Sequence, residues 1–244
     1  MINYTERIAS LLALSQDAAT TEHERQLAYA HAMRLMQQHE IADCEVRAAH
    51  GEKQEEPRLE IFMFSGAGGH GVARATAIGT IAEAMGAMWS YVGGTRTHAV
   101  DLQVVAHPST IVHLEQLRAS MEPTMEALGK AACRGVQGYA RCTAFRSYLI
   151  GFGTGVAMHF RQQQQQQQTS SPADPHADEV TTSGAMILQD RSVAVKRAFT
   201  EFFPDLSRGR QTVMDADMFY QGRAAGHVYG APGVPQRNSR QVEA

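Results

Sequence analysis

Three glycines between two apolar segments form the pattern with the clearest chemical meaning in this chain. Gly66, Gly68 and Gly71 match G-x-G-x-x-G, with a predicted strand before them and a predicted helix after them. Backbone amides at such a helix start can hold a phosphate against the helix dipole, with His70 as an additional polar group. A dinucleotide site also needs an acidic residue about twenty positions later, at a strand end, and Glu83 falls inside the predicted helix instead. A plain flexible turn is the competing interpretation.

The 11 histidines of the chain invite a search for a metal site. His70 lies in the glycine loop, His98 precedes a predicted strand and His107 follows it. His98 and Asp101 are three residues apart, so on a regular strand they point to opposite faces and cannot share one ion. No HExxH, HxH or His–Cys pair with zinc spacing occurs. We predict no metal, and the sequence leaves open whether His70, His98 and Asp101 meet in one pocket.

Thiols and carboxylates offer little support for catalysis. Cys133 and Cys142 lie in or near predicted helices, and no GxSxG elbow occurs, so we expect buried and inert thiols. Glu115 and Glu122 share one face of a predicted helix, which is typical of a solvated face. The sequence therefore predicts no catalytic residue and no cofactor, and it favours a protein that is not an enzyme.

Basic residues near the carboxy terminus predict a modest basic patch. Arg223 and His227 are four residues apart on a predicted helix, and Arg208 and Arg210 precede that helix. Such a patch can contact the phosphates of a nucleic acid. The same side chains can equally well cap helices or pair with nearby carboxylates.

The composition is that of an ordinary soluble protein. Its 244 residues suffice for a small helical module plus a domain of roughly 150 residues. Hydrophobic residues make up 43% and charged residues 19%, and the net charge of -3 argues against a protein that coats polyanions generally. Three cysteines without a CxxC pair favour a reducing compartment. Because no signal peptide or run of about twenty apolar residues is present, we expect a cytoplasmic protein without a membrane span.

The elements that must position these residues begin with two short helices joined by a tight turn. Asn3 and Glu6 have capping-box spacing at the start of the first helix, and Thr21 and Glu24 have it at the start of the second. Apolar or small residues then recur on one face of each helix, at Ile8, Leu11, Leu12 and Ser15 and at Ala28, Ala32, Leu35, Met36 and His39. Each stripe must be buried against the other helix or against a partner.

A polar linker and a mixed domain follow the hairpin. We predict a linker over 44–58, strands over 59–64, 97–106 and 184–188, and helices over 72–88, 109–134, 141–168, 192–203 and 215–228. The seven glutamines from Gln162 to Gln168 begin a Gln/Ser/Pro-rich segment, 162–180, that we expect to be a mobile linker. Residues 230–244 are expected to be a disordered tail.

Glycines along two predicted helices indicate close helix contacts. Gly151, Gly153 and Gly155 interrupt an apolar helix, at a cost of about 1 kcal/mol each relative to alanine. Such residues are tolerated most readily where another backbone packs closely. Gly222 and Gly226 are four residues apart and line one face of the last helix, which again allows close approach.

The hairpin resembles a known family. Segment 6–15 (ERIASLLALS), a polar spacer and segment 22–41 (EHERQLAYAHAMRLMQQHEI) are similar to the family called domain of unknown function 2786. Leu35, Met36, His39 and Ile41 fit the leucine-methionine-x-x-histidine-x-isoleucine ending of its second helix. A weaker similarity to its companion carboxy-terminal domain runs over 89–159. This family occurs in bacteria, phages and mobile elements and has no established activity, so the resemblance implies a fold and leaves function open.

The sequence as a whole predicts an α+β fold that is mostly helical. It comprises a hairpin module over 1–43, the linker, and an α+β domain over 59–229 interrupted at 162–180. We expect a cytoplasmic binding or accessory protein, encoded by a phage or mobile element, that contacts nucleic acid or a protein partner through Arg208, Arg210, Arg223 and His227. The alternative is an enzyme or sensor that binds a phosphorylated small molecule at Gly66, Gly68, His70 and Gly71.

Overall fold

The protein has an α+β fold that is mostly helical, as the sequence predicts. The computed structural model describes residues 4–17, 20–21, 24–25, 27–29, 31–32, 34–35, 55–65, 70–93, 99–169, 177–206 and 213–229. The predictions for Asn3, Met36, His39, most of the 44–58 linker and the tail over 230–244 fall outside the described residues.

Along the chain, the amino-terminal helical hairpin is followed by a sheet whose first two strands are connected by a helix, and then by long helices. They are α1 (Tyr4–Gln16), α2 (the helical residues between 24 and 35), β1 (Arg58–Phe64), α3 (Gly71–Ala84), β2 (Met88–Gly93), β3 (Val100–Ala106), α4 (Pro108–Ala132), α5 (Gly138–Thr169), α6 (Ala177–Phe202) and α7 (Ala216–Val228). Within the described residues, no helix is both long enough and apolar enough to cross a membrane.

A capping box starts α2, as its sequence predicts. Glu24 Oε2 accepts hydrogen bonds from the Thr21 hydroxyl at 2.6 Å and from the Thr21 amide at 3.1 Å. Ile8 and Leu12 of α1 are buried, in agreement with the predicted stripe. Local sequence is thus enough to place the start of α2 and the buried side of α1.

The described strands form one antiparallel sheet of three strands in the order β1-β3-β2. Val100, Leu102 and Val104 point to the face on which α3 packs and are fully buried, as their alternation predicts. Val105 points to the opposite face and packs against α6. The cover on this second face is incomplete, because Ile61 is 50% exposed.

Four predicted elements differ from the structure, and one of them is the helix predicted over 192–203, which is the longer α6 and begins at Ala177. The helix predicted over 72–88 ends at Ala84, the chain turns at Gly86 with φ +86, and the unpredicted strand β2 follows. α4 begins at Pro108 with His107 as its N-cap, two residues before the predicted cap at Ser109. The strand predicted over 184–188 is wrong, because a single helix, α6, spans that segment.

Helices α5 and α7 pack with their backbones almost in contact. A Cβ built at Gly151 or Gly155 would overlap backbone atoms of α7, and one built at Gly222 or Gly226 would overlap backbone carbonyls of α5. Gly153 points the other way, where its Cβ would meet the backbone of α3 at 2.5 Å. The predicted close approach is confirmed, and it places α5 between α3 and α7.

The amino-terminal hairpin shares one hydrophobic core with the rest of the chain. Ile8, Leu12 and Tyr29 belong to the same buried cluster as Phe152 of α5. The ring of Tyr29 lies edge-on to Tyr229, with 5.2 Å between centroids. Tyr229 in turn lies 5.5 Å from Phe152.

The glutamine run continues α5. The helix passes through all seven glutamines to Thr169, and α6 begins at Ala177, so helix covers 162–169 and 177–180 of the predicted linker. Gln164 Nε2 donates to the carbonyl oxygen of Ala84 at 3.2 Å. The start of the run is therefore packed against the end of α3.

Candidate functional site

The first candidate site is the start of α3, where the glycine motif ends. Gly71 is the first residue of α3, whereas Gly66 and Gly68 lie outside the described residues. His70 is the N-cap but makes no side-chain cap, and its ring meets Phe145 edge-on at 4.8 Å. Its Nδ1 is buried and has no hydrogen-bond partner among the described residues. A strand–loop–helix order is present here, yet the sheet is antiparallel and not of the dinucleotide-binding kind.

Positive charges surround His70. Burial lowers the pKa of His70 below its usual value, and the charges of Arg74 and Arg146 lower it further. A neutral imidazole is therefore favoured. Arg146 donates to the carbonyl oxygen of Val213 at 3.0 Å, and its buried Nε has no hydrogen-bond partner within the described part of the chain.

One carboxylate compensates much of this charge. Glu126 of α4 accepts from Arg74 Nε at 2.7 Å and from Lys130 Nζ at 3.1 Å. Burial alone would raise the pKa of Glu126, but the hydrogen bonds from Lys130 and Arg74 outweigh it and leave the pKa below its usual value. Arg74 also reaches the Ser65 carbonyl at 3.3 Å. This ion pair joins α3 to α4, so Arg74 has a structural role.

The described members of the histidine set, His70 and His107, do not share one site with Asp101. His98 lies outside the described residues. His107 is buried at the start of α4, with Nδ1 2.9 Å from the Glu55 carbonyl oxygen. Asp101 pairs with Met63 in the sheet and lies on the face toward α6, whereas α3 packs on the other face. Among the described residues, no group of three or more His, Cys, Asp or Glu side chains is placed to hold a metal ion.

The two described thiols differ in environment. Cys133 is buried, and burial raises the pKa of its thiol. Cys142 is exposed, so the expectation of a buried thiol is wrong for this residue. Neither thiol belongs to an activated pair, since the described contacts place no imidazole beside them.

The second candidate site is on α7. Arg208 and Arg210 lie outside the described residues, and Arg223 and His227 lie one turn apart. The Arg223 guanidinium lies over the ring of Tyr220, 4.8 Å from its centroid. These residues line an open depression of about 300 Å³. We call it the Tyr220 surface, and its members are Met158, Tyr220, Arg223, Ala224, His227 and Val228.

Side chains of α5 hold His227 in place. His227 Nε2 lies 2.9 Å from Gln162 Oε1, and its ring lies edge-on to His159 with 5.9 Å between centroids. His159 Nε2 in turn lies 2.9 Å from Gln163 Nε2. Burial lowers the pKa of His159, and the charge of His227 lowers it further. Both rings are therefore oriented by the first two glutamines of the run.

Sequence reasoning missed Tyr220 and His159. Tyr220 stands three residues before Arg223 on a predicted helix, so the spacing alone could have paired the ring with the guanidinium. His159 gives no such local signal. It meets His227 only because the glycines bring α5 and α7 together.

The similarity found to a known family covers only the two amino-terminal helices. Residues 4–42 match the family described as Protein of unknown function (DUF2786), which confirms the resemblance of the two amino-terminal helices. No curated protein matches the chain, and no solved structure does.

Proposed function

We propose that this protein is a non-catalytic binding protein that contacts single-stranded nucleic acid through the Tyr220 surface. The observation that carries the proposal is the Arg223 guanidinium lying 4.8 Å over the ring of Tyr220, which is 55% exposed. Proteins that bind single strands combine aromatic rings, on which bases stack, with arginine or lysine side chains for the backbone. Three cysteines without a CxxC pair support action in the cytoplasm.

The shape and charge of the Tyr220 surface favour a single strand over a duplex. Its depression of about 300 Å³ has apolar lining from Met158 and Val228, which suits the face of a base. His227 adds a polar group at the same wall. The net charge of -3 argues against the broad positive surface that a duplex needs.

Fluorescence anisotropy with a labelled oligothymidylate tests the proposal. We expect saturable binding that weakens as salt is raised. Arg223→Ala removes one phosphate contact, so it should weaken binding and reduce the salt slope by about 1. Tyr220→Ala should cost about 1–3 kcal/mol of binding free energy, and Tyr220→Phe should retain most of it.

Arg197→Ala is the matched control. Arg197 is an exposed arginine on α6, 3.9 Å from Glu201, and lies outside the Tyr220 surface. The proposal is overturned if the native chain fails to bind at low salt, or if Arg197→Ala weakens binding as much as Arg223→Ala. Binding of a protein partner that depends on Tyr220, without nucleic-acid binding, would assign the surface to that partner class.

The second candidate function is binding of a phosphorylated small molecule at the start of α3. The observation that favours it is the pair of buried nitrogens, His70 Nδ1 and Arg146 Nε, which have no hydrogen-bond partner among the described residues. Arg146 Nε is a hydrogen-bond donor, and His70 Nδ1 becomes one when it carries a proton. A phosphate oxygen is an acceptor. Gly66, Gly68 and Gly71 belong to this candidate through their motif alone.

A thermal-shift screen with ATP, NAD and cyclic nucleotides tests this second candidate. We expect stabilisation that grows with ligand concentration and is lost in His70→Ala and in Gly68→Trp. His31→Ala, in α2, is the control. No shift at about millimolar ligand would exclude the candidate, because a ligand a hundredfold above its Kd stabilises by about 2.7 kcal/mol.

A further inference from the structure

Strand β2 is an open edge of the sheet. It pairs with β3 in unbroken register from Met88 to Gly93, without a bulge, and within the described residues no strand lies on its other side. Its first four residues are half-buried and its last two are exposed. An edge strand presents unpaired amides and carbonyls that can pair with another strand.

The two edges of this sheet differ in their protection. β1 carries Arg58 and Glu60, 3.6 Å apart, and follows Pro57. Charged side chains and proline are the usual means of blocking an edge. β2, with the sequence MWSYVG, carries neither. The open edge is therefore β2, and the same sheet provides a protected edge for comparison.

From Met88 to Val92, the order of side-chain types in β2 is the same when read in either direction. Ser90 is flanked by the aromatic residues Trp89 and Tyr91, and these are flanked by the apolar residues Met88 and Val92. Two copies of a strand related by a two-fold axis normal to the sheet pair antiparallel, and each residue opposes the one equally far from the centre. Residues that oppose each other in an antiparallel pair point to the same face of the sheet, so they are an even number of positions apart in the sequence. The centre of the pairing, midway between them, is therefore a residue and not a peptide bond.

We propose that the β2 edge pairs with β2 of a second copy of this chain, centred on Ser90. The pairing sets Trp89 opposite the second copy's Tyr91 on one face and Met88 opposite its Val92 on the other. Aromatic and apolar cross-strand pairs of this kind stabilise sheets. The result is one six-stranded sheet across a symmetric dimer, with an isologous interface.

A groove beside the edge accommodates the incoming side chains. It measures about 380 Å³ and lies between β2, the end of α3 and α6. Its lining includes Met88, Trp89 and Val195, with Glu83 and Lys196 also present. Because the pairing brings the second copy's Tyr91 and Val92 opposite Trp89 and Met88, the groove offers apolar contact to those two side chains.

The test is sedimentation velocity on the full chain with lysine placed on either edge. Ser90 and Ile61 are opposite Gln103 in the same row of the sheet, Ser90 on β2 and Ile61 on β1. Ser90→Lys brings two like charges face to face in the dimer, so it should raise the dimer Kd roughly tenfold or more. Ile61→Lys changes the same row at the protected edge and should leave the Kd unchanged.

Mixing two variants with opposite charges at position 90 should restore the dimer if the proposed pairing is correct. Ser90→Glu alone should also be monomeric, and an equimolar mixture with Ser90→Lys should dimerise, because the opposed charges then attract. Circular dichroism of each variant checks that it is folded. A native chain that stays monomeric at about 100 μM overturns the proposal. So does a dimer that Ile61→Lys dissociates as strongly as Ser90→Lys, or a mixture that remains monomeric.

Cross-linking tests the register. Opposed residues of an antiparallel pair have Cα atoms about 4.5–5.5 Å apart, within the range of about 4.4–6.8 Å that a disulfide bridges. Ser90→Cys should therefore form a covalent dimer under mild oxidation. Ile61→Cys, on the protected edge, measures the background from the native thiols, which include the exposed Cys142. Equal cross-linking of the two variants overturns the register.

Discussion

The ring of Tyr29 meets the ring of Tyr229 edge-on, with 5.2 Å between their centroids. Tyr29 belongs to α2, within the residues that match the family, and Tyr229 follows α7 near the other end of the chain. Edge-to-face aromatic pairs contribute about 0.5–1.5 kcal/mol beyond the area that they bury. The hairpin is therefore a part of the core, and its stability is linked to that of α7.

We expect Tyr29→Phe to stabilise the protein. The Tyr29 hydroxyl is fully buried and has no hydrogen-bond partner among the described residues. A buried hydroxyl without a partner costs about 1–3 kcal/mol, so its removal should raise the free energy of unfolding by about 1 kcal/mol. Urea denaturation followed by circular dichroism measures the change. Tyr29→Ala, which removes the ring, should instead lower it by about 3–5 kcal/mol. A Tyr29→Phe variant less stable than the native chain contradicts the prediction.

Alanine at Gly226 should destabilise the protein although alanine favours helices. The added Cβ would overlap the carbonyl oxygen of Phe152, so α5 and α7 must move apart. The overpacking costs about 1–3 kcal/mol or more, which exceeds the gain of about 1 kcal/mol in helix propensity. Thermal unfolding measures the difference.

Gly129→Ala is the graded control for that experiment. A Cβ there would meet ring carbons of Phe145 at 2.8 Å and Tyr148 at 3.0 Å, and rings can shift where backbone cannot. Its loss of stability should therefore be the smaller of the two. Equal losses would mean that backbone contact is not what the α7 glycines provide.

Stability should fall as the solution becomes acidic, partly through His159. Burial and the nearby charge of His227 lower the pKa of His159 in the folded protein. The unfolded chain therefore takes up this proton first, and the contribution of the neutral ring, complete above about pH 6.5, is lost as pH falls through the lowered folded pKa. The Tm should drop more between about pH 7.5 and 5 in the native chain than in His159→Phe.

His70 should account for part of the pH dependence that remains in His159→Phe. Its pKa is also lowered in the folded protein, so it acts with the same sign. His159→Phe should consequently reduce the slope without removing it. A variant whose Tm varies with pH as steeply as the native Tm would rule out a role for His159 in this window.

Gly79→Ala should move Trp89, the only tryptophan of the chain. A Cβ at Gly79 would overlap ring carbons of Trp89, whose indole lies flat on α3. The displaced indole gains contact with water, so its fluorescence emission should shift to longer wavelength. Thr80→Ala, which removes a hydroxyl that donates to the Thr76 carbonyl at 2.8 Å, is the neighbouring control. Identical spectra for Gly79→Ala and the native chain contradict the prediction.

The start of α2 followed from the sequence because it depends on neighbouring residues. The predicted Thr21–Glu24 capping box is a contact over three residues. Arg223 and His227 were likewise placed by helical spacing. β2 was missed because the apolar run after Ala84 fits both periods, and the turn at Gly86 is what separates helix from strand.

The rest of the candidate site depends on contacts between distant residues. His159 and His227 meet across the packed backbones of α5 and α7, and the ion pair of Arg74 with Glu126 joins helices that a pattern on one helix cannot relate. The strand predicted over 184–188 was wrong for the same reason. A short apolar run is compatible with either structure, and long-range packing decides between them.

The first residues of the glutamine run hold it in place, and this matters if the number of glutamines varies. Gln162 contacts His227, Gln163 contacts His159, and Gln164 contacts the Ala84 carbonyl. Glutamines are interchangeable, so after replication slippage the first three of any longer or shorter run still occupy these places. A change in repeat number then falls after Gln165 and leaves the contacts of Gln162, Gln163 and Gln164 with His227, His159 and α3 intact.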